Sequence, residues 1–141
     1  MDLALLRAEL TRDEGLRLRP YTDTTGHLTI GVGRNLTDNG ISEREAQVLL
    51  LNDIARVVEQ LDHALPWWQG LDPVRQRVMA NMAFNLGIAS FLGFHNTIIL
   101  IQSGRYDAAA AGMRSSLWAR QVGPRAERLA AMMETGKEPT P

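Results

Sequence analysis

The 141-residue sequence contains no cysteine. That excludes a disulfide framework, a cysteine-ligated zinc site and a thiol nucleophile, and leaves stability to packing, though it sets no limit on action outside a cell. No stretch approaches the ~20 apolar residues of a membrane span, so stable membrane insertion is not expected. The amino-terminal MDLALLRAELTRDE carries Asp2, Arg7 and Glu9 where a signal peptide keeps an uninterrupted apolar core, and the product is expected to be cytosolic when made. A strong charge of one sign is also missing. The formal net charge is −1, with 7 Arg against 11 Asp+Glu in residues 1–65 (−4) and 8 Lys+Arg against 5 Asp+Glu in residues 66–141 (+3). Nucleic-acid binding usually shows a clustered basic face and a high pI, so no nucleic-acid partner is expected. His27, His63 and His95 are too scattered for an H-E-x-x-H or similar zinc site; they read as surface or loop residues, and neither metal nor cofactor is expected.

What is present is the composition of a soluble globular protein, 45% hydrophobic and 22% charged, of a length for one domain or two small lobes sharing a core. Leu3, Leu6 and Leu10 recur at helical spacing over residues 3–14, and Gly15 follows where a helix would stop. From Leu16 the texture alternates, and the stretch of roughly residues 18–33 predicts a β-hairpin turning at Thr24-Thr25-Gly26. Ser42 and Glu45 form a capping box, and Ala46, Leu50, Ile54, Val57 and Leu61 fall on one stripe of a helix of about 22 residues ending before Pro66. A further helix starts at Asp72-Pro73 and ends at Gly87; shorter ones fit residues 97–103, 107–115 and 124–134. The expected fold is α+β and mostly helical: a small β-containing lobe over about residues 12–40, a connecting helix over 42–65, and a helical lobe over 66–136 with residues 1–11 packing near it. Residues 137–141 read as a frayed tail. Such a layout offers a cleft between two lobes for a ligand.

Three polar residues in DEGLRLRPYTDTTGHLTIGVG (residues 13–33) raise the functional question. Glu14 shares the helical stripe of Leu3, Leu6 and Leu10, because eleven residues bring a helix nearly back to the same azimuth. A carboxyl held against apolar surface is penalised in its charged form, so its pKa is expected to rise, as a general acid requires. If Thr24, Thr25 and Gly26 form a three-residue loop, Asp23 pairs with His27, and Thr29 lies two residues further along the same face. Asp23 then sits among threonines and should stay ionised. Two carboxyls pushed apart in pKa are the pattern for glycoside hydrolysis, one donating a proton and the other orienting or activating water, or attacking.

Each residue also has an ordinary structural role available. Thr11-x-x-Glu14 matches a capping box, though Gly15 and Pro20 leave no room for a long helix after it. Asp23 is a common turn former and Thr29 a common strand residue; only their combination points to chemistry. Gly31-Val32-Gly33 is half of a dinucleotide fingerprint without its third glycine or a parallel βαβ unit, and these glycines are read as letting a ligand or another backbone approach the strand. Trp67-Trp68 lies between two helices and reads as core or hinge packing, while Met79, Met82 and Met113 read as filler in the helical lobe.

The ordered spacing from the glutamate in RDEGLRLRPY to the aspartate and threonine in YTDTTGHLTIGVG resembles the phage-type lysozymes, the muramidases and endolysins that include the T-even phage lysozyme. The similarity continues through LDPVRQRVMANMAFNLG, GFHNT, SGRYDAAAAGM and SLWARQVGPRAERLAAMMETG, covering about residues 6–136. The resemblance implies a two-lobed lysozyme-like fold. It also implies inverting hydrolysis of the β-1,4 bond between N-acetylmuramic acid and N-acetylglucosamine in peptidoglycan. Glu14 would protonate the leaving oxygen, with Asp23 and Thr29 holding a water on the far face of the sugar. Inversion needs the two carboxyls ~6.5–9.5 Å apart to admit that water. Gly33, Phe84, Asn85 and Arg125 match substrate-binding positions; Asn85 stands where some members have glutamine, and Arg125 would meet the acidic peptide stem. Leu117 occupies a place where some relatives carry arginine, and Arg34, where several have histidine, is read as structural.

By the same resemblance the protein acts as a monomer on bacterial peptidoglycan, is made in the host cytoplasm and reaches the wall by holin-dependent release, lysing a phage's host. Three rival readings stand beside it. A lytic transglycosylase needs the glutamate but not Asp23 and Thr29, a catalytically silent peptidoglycan-binding module needs none of the three, and a chitin or chitosan hydrolase shares the glutamate logic on a related fold.

Overall fold

The computed structural model describes residues 1–139, in two compact units that divide between Leu49 and Leu50. In the first, Asp2 starts helix α1 (Leu3–Glu14) by accepting at Oδ1 from the amides of Ala4 and Leu5, both at 3.0 Å. Gly15, at φ +79°, ends the helix while its N–H bonds to the Thr11 carbonyl at 2.9 Å. Thr11 lies inside α1, its hydroxyl donating to the Arg7 carbonyl at 2.8 Å, so it does not form a capping box with Glu14.

Three antiparallel strands follow in the order β1 (Arg17–Thr22), β2 (Leu28–Gly31), β3 (Arg34–Asn35). Tyr21 pairs with Thr29 and Thr22 with Leu28, but the next pair is Arg17 with Gly31, so β1 bulges across residues 18–20. Pro20 lies in that bulge, where its missing N–H leaves no ladder bond unmade. The hairpin loop has three residues, as expected. Asp23 N–H donates to the His27 carbonyl at 2.9 Å, Gly26 N–H donates to the Asp23 carbonyl at 3.1 Å, and Gly26 takes φ +86°. Gly31 and Gly33, at φ +70° and +68°, then turn the chain into β3, a strand too short to leave a period in the sequence. Asn35 caps a single helical turn, α2 (Leu36–Asn39), by accepting from Asp38 N–H at 3.0 Å.

The long helix α3 (Glu43–Ala64) begins with the expected reciprocal box. Ser42 N–H donates to Glu45 Oε2 at 2.7 Å, and Glu45 N–H to Ser42 Oγ at 3.1 Å. Of its apolar stripe, Val57 and Leu61 are buried, whereas Leu50 and Ile54 keep 39% and 42% of their surface. Arg34 joins this cap through a two-pronged pair with Glu45, at 2.8 and 2.6 Å, which supports its structural reading.

Every buried apolar residue among those described lies at or after Val57, in the second unit. After a 3-10 turn (Pro66–Gly70) come α4 (Pro73–Leu86), α5 (Ile88–Leu92), α6 (His95–Gln102), α7 (Tyr106–Arg114), α8 (Leu117–Val122) and α9 (Pro124–Thr135). Met79, Met82, Met113, Met133 and Phe91 fill their core, each buried side chain of this size contributing ~1.5–3 kcal/mol. Trp68 is buried with its indole donating to Asp62 Oδ1 at 2.7 Å, and Trp67 packs partly buried against the same core. Arg75 closes the carboxyl end of α9: Nε donates to the Met133 carbonyl at 2.6 Å and Nη2 to the Glu134 carbonyl at 3.0 Å, with the guanidinium 3.6 Å from the Tyr106 ring centre. Of the tail, Glu138 pairs with Arg77, and residues 140 and 141 lie outside the described residues. The α5 and α8 segments and the 3-10 turn went unmarked in the sequence because five or six residues hold too little periodicity.

Candidate active site

In the first unit, α1 ends at Glu14, and its carboxylate reaches Gly33 in the β2–β3 turn. A β-carbon on Gly33 would stand 2.9 Å from Glu14 Oε2 and 3.1 Å from Cδ. The group that comes close to this glycine is therefore the Glu14 side chain. Proximity to the turn, rather than an apolar setting, is what places the carboxyl. The expected leucine surface is not there: Leu3 and Leu10 keep 63% and 45% of their surface, α1 has no buried residue, and Glu14 is itself exposed. The helix does bring Glu14 to the azimuth of Leu3, Leu6 and Leu10, but that stripe is not a buried one.

Asp23 is held by the turn it starts. Its Oδ1 accepts from Thr25 N–H at 2.9 Å, Thr25 Oγ1–H at 2.8 Å and His27 N–H at 2.8 Å. The His27 amide, then the Thr25 hydroxyl, hold the carboxyl below the usual carboxylate range against a partial cost of burial, with the Thr25 amide and the His27 ring adding to them. Asp23 is thus an anion across working pH, as expected. Its Oδ2 accepts no such bond among the described residues.

Thr29 sits on the central strand, between Tyr21 on β1 and Asn35 on β3, and is one of two buried polar residues among those described. Its hydroxyl donates to the His27 carbonyl at 3.0 Å, so that proton is committed and the oxygen is left to accept. Because Asp23 pairs with His27 and Tyr21 with Thr29, Asp23 and Thr29 belong to the same alternating face of the hairpin.

In the second unit a cavity of about 430 Å³ is lined by Leu50, Ile54, Ala80, Asn81, Phe84 and Arg125 among others. Arg125 Nε and Nη2 donate to Asn81 Oδ1 at 2.9 and 2.7 Å, so a neutral amide fixes the guanidinium. Phe84 and Arg125 thus share a concavity, but Asn85 does not line it. Its Oδ1 accepts from the Trp118 indole at 2.8 Å, and Trp118 meets Phe94 edge-on at 6.3 Å. Leu117 is exposed. Sequence reading missed two parts of this arrangement. Asn81 is a side chain without a motif; Thr25 and His27 carry a signal in their i+2 and i+4 spacing from Asp23 across a three-residue loop. Among the described residues no group of three or more His, Cys, Asp or Glu is arranged to hold a metal ion.

The mostly helical α+β architecture is of the lysozyme-like kind. The Phage lysozyme family model matches residues 11–134, and the chain belongs to that family, a class of lysozyme-type glycosidases. It is 32% identical over 155 residues to the pre-baseplate central spike protein Gp5 of Enterobacteria phage T4. That match covers 90% of this chain and 27% of the spike protein, so the chain spans about a quarter of that relative's length. It is 27% identical to a Dictyostelium discoideum protein named "Probable T4-type lysozyme 1", covering 90% of this chain and 92% of that protein. A second from the same organism, "Probable T4-type lysozyme 2", is 26% identical, with 93% and 94% covered. No helix among the described residues is long and apolar enough to cross a membrane.

Proposed function

We propose that the chain hydrolyses the β-1,4 bond between N-acetylmuramic acid and N-acetylglucosamine in peptidoglycan by a single displacement that inverts the anomeric centre. The observation that carries this reading is the three-residue turn, which holds Asp23 ionised on the same hairpin face as Thr29. Glu14, placed at the neighbouring β2–β3 turn, donates the proton to the leaving glycosidic oxygen. Asp23 accepts a proton from the attacking water, and the buried Thr29 oxygen accepts a hydrogen bond that orients it. Gly33 supports Glu14 by leaving room for its carboxylate. Phe84 offers an apolar face to a sugar ring or its N-acetyl group, and Arg125, held by an uncharged amide, offers a cation to the carboxylates of the peptide stem. Asn85, tied to Trp118, contributes through its remaining amide N–H groups.

The test is clearing of a peptidoglycan suspension beside a chitin suspension, with products identified by mass spectrometry. Wild type is expected to clear peptidoglycan and leave reducing ends, and Glu14→Gln to clear neither. Equal clearing by the two proteins would sink the acid assignment. Anhydro ends would make it a transglycosylase, and clearing of chitin alone would move the substrate. Host lysis after holin-dependent release, by a monomer made in the host cytoplasm, completes the reading. Expression without a holin should then accumulate active protein in intact cells.

A further inference from the structure

The cavity of about 430 Å³ in the second unit is lined by apolar residues, one amide and two cations, Arg77 and Arg125, with no acidic side chain among them. Two guanidiniums beside apolar walls concentrate a positive field, which favours a ligand carrying two negative charges. Arg77, Ala80, Asn81 and Phe84 recur at i, i+3, i+4 and i+7 and so share one face of α4. Asn81 Oδ1 accepts from Nε and Nη2 of Arg125, which leaves the Nη1 edge of that guanidinium for a ligand. Arg77 leaves α4 one turn before Asn81, ~6 Å along the axis at 1.5 Å per residue, so the two cations are tethered about a turn apart on one wall. Arg75 nearby is spent on the end of α9, whereas Arg77 fastens no helix end: its one hydrogen-bonded partner among the described residues is Glu138 of the tail. At 51% and 68% exposure the Arg77 and Glu138 side chains form a surface pair, which solvent and salt screen and which exchanges readily. A carboxylate thus already sits on a cation of the cavity, supplied by a residue outside its lining.

We propose that Arg77 is a specificity-determining residue: with Arg125 it receives two carboxylates of the peptide stem, and in the free chain Glu138 holds the place of one of them. This rests on the peptidoglycan reading above and extends it from one cation to two. An acidic stem displaces Glu138 from Arg77 as it enters, so the tail competes with substrate. Stems whose carboxylates are amides bind weakly, because neither guanidinium then meets an anion.

The probes are two fluorescent, soluble, uncross-linked peptidoglycan chains with acetylated amines, one with free stem carboxylates and one with those carboxylates converted to methylamides. Binding is read as Kd by fluorescence polarisation in a Glu14→Gln background, so that the probe stays whole, and cleavage is followed in parallel with Glu14 intact. Arg77→Gln is expected to weaken binding of the acidic chain about fivefold, the upper end of what an exposed ion pair supports, and Glu138→Gln to tighten it about threefold. Neither change should move the Kd of the methylamide chain, which should bind the parent protein more weakly than the acidic chain binds Arg77→Gln, since Arg125 also loses its partner. A pair that merely fastens the tail would move Tm and leave every Kd alone. Equal Kd for the two chains, or for Arg77→Gln and its parent on the acidic chain, overturns the proposal and leaves the hydrolytic reading standing. An acidic-chain Kd unchanged by Glu138→Gln overturns the tail's place in it. Absence of cleavage with Glu14 intact, while the acidic chain still binds through Arg77, overturns the hydrolytic reading and supports the stem site.

Discussion

Gly33→Ala, set against Gly31→Ala, separates backbone strain from displacement of Glu14. Both glycines have left-handed φ, +70° at Gly31 and +68° at Gly33, where an L side chain costs ~1–2 kcal/mol. Their surroundings differ. A β-carbon on Gly31 meets nothing within 4 Å, whereas on Gly33 it would stand 2.9, 3.1 and 3.3 Å from Oε2, Cδ and Cγ of Glu14. Glu14 is exposed, so its side chain can swing clear at little energetic cost. The two variants are therefore expected to lose similar stability, a few degrees in Tm by circular dichroism. Only Gly33→Ala should lose catalysis, because the carboxylate must leave its place, and a displacement near 1 Å costs on the order of 100-fold. The assay is the initial rate of peptidoglycan clearing at saturating suspension, with Tm recorded on the same preparations. Wild-type clearing by Gly33→Ala would refute the claim that this contact places the acid. Equal loss in both variants would assign the effect to turn strain instead.

Acid should weaken the chain through Glu45. The Arg34 guanidinium first, then the Ser42 amide, lower its pKa from 4.5 to about 2. A depressed carboxylate stabilises the fold above its unfolded value and loses that contribution as pH falls from 4.5 through about 2. The stability difference between wild type and Glu45→Gln should therefore shrink across that window in urea titrations; a difference independent of pH would contradict it. In the helical core, Met82→Ala should destabilise by ~2–5 kcal/mol, since the side chain is fully buried, and a loss near zero would mean the site collapses around the change. Arg75→Lys should lose ~2 kcal/mol or more, because an ammonium cannot reproduce the two bonds to the end of α9 together with the stack on Tyr106. A Tm equal to wild type would refute that account of the cap.

Features written in a few adjacent residues were legible without coordinates. The Ser42–Glu45 box, the Asp72-Pro73 start of α4 and the Gly26 turn each need only their immediate neighbours, because capping and turn geometry close within four residues. The Glu14, Asp23 and Thr29 spacing and its family resemblance were legible for the same reason: the three lie within one short helix-and-hairpin stretch, and 124 residues match the family from 11 to 134. What the tertiary structure decided is where each periodic face ends up. The leucines of α1 repeat as those of a core helix do, yet Leu3, Leu5 and Leu10 remain exposed, so periodicity set Glu14's azimuth and could not bury it. Likewise Phe84 and Asn85 are adjacent in sequence, but one lines a cavity while the other binds Trp118, 33 positions away. Burial and hydrogen-bond partnership depend on elements distant along the chain, and a local pattern specifies a direction without saying what lies in that direction.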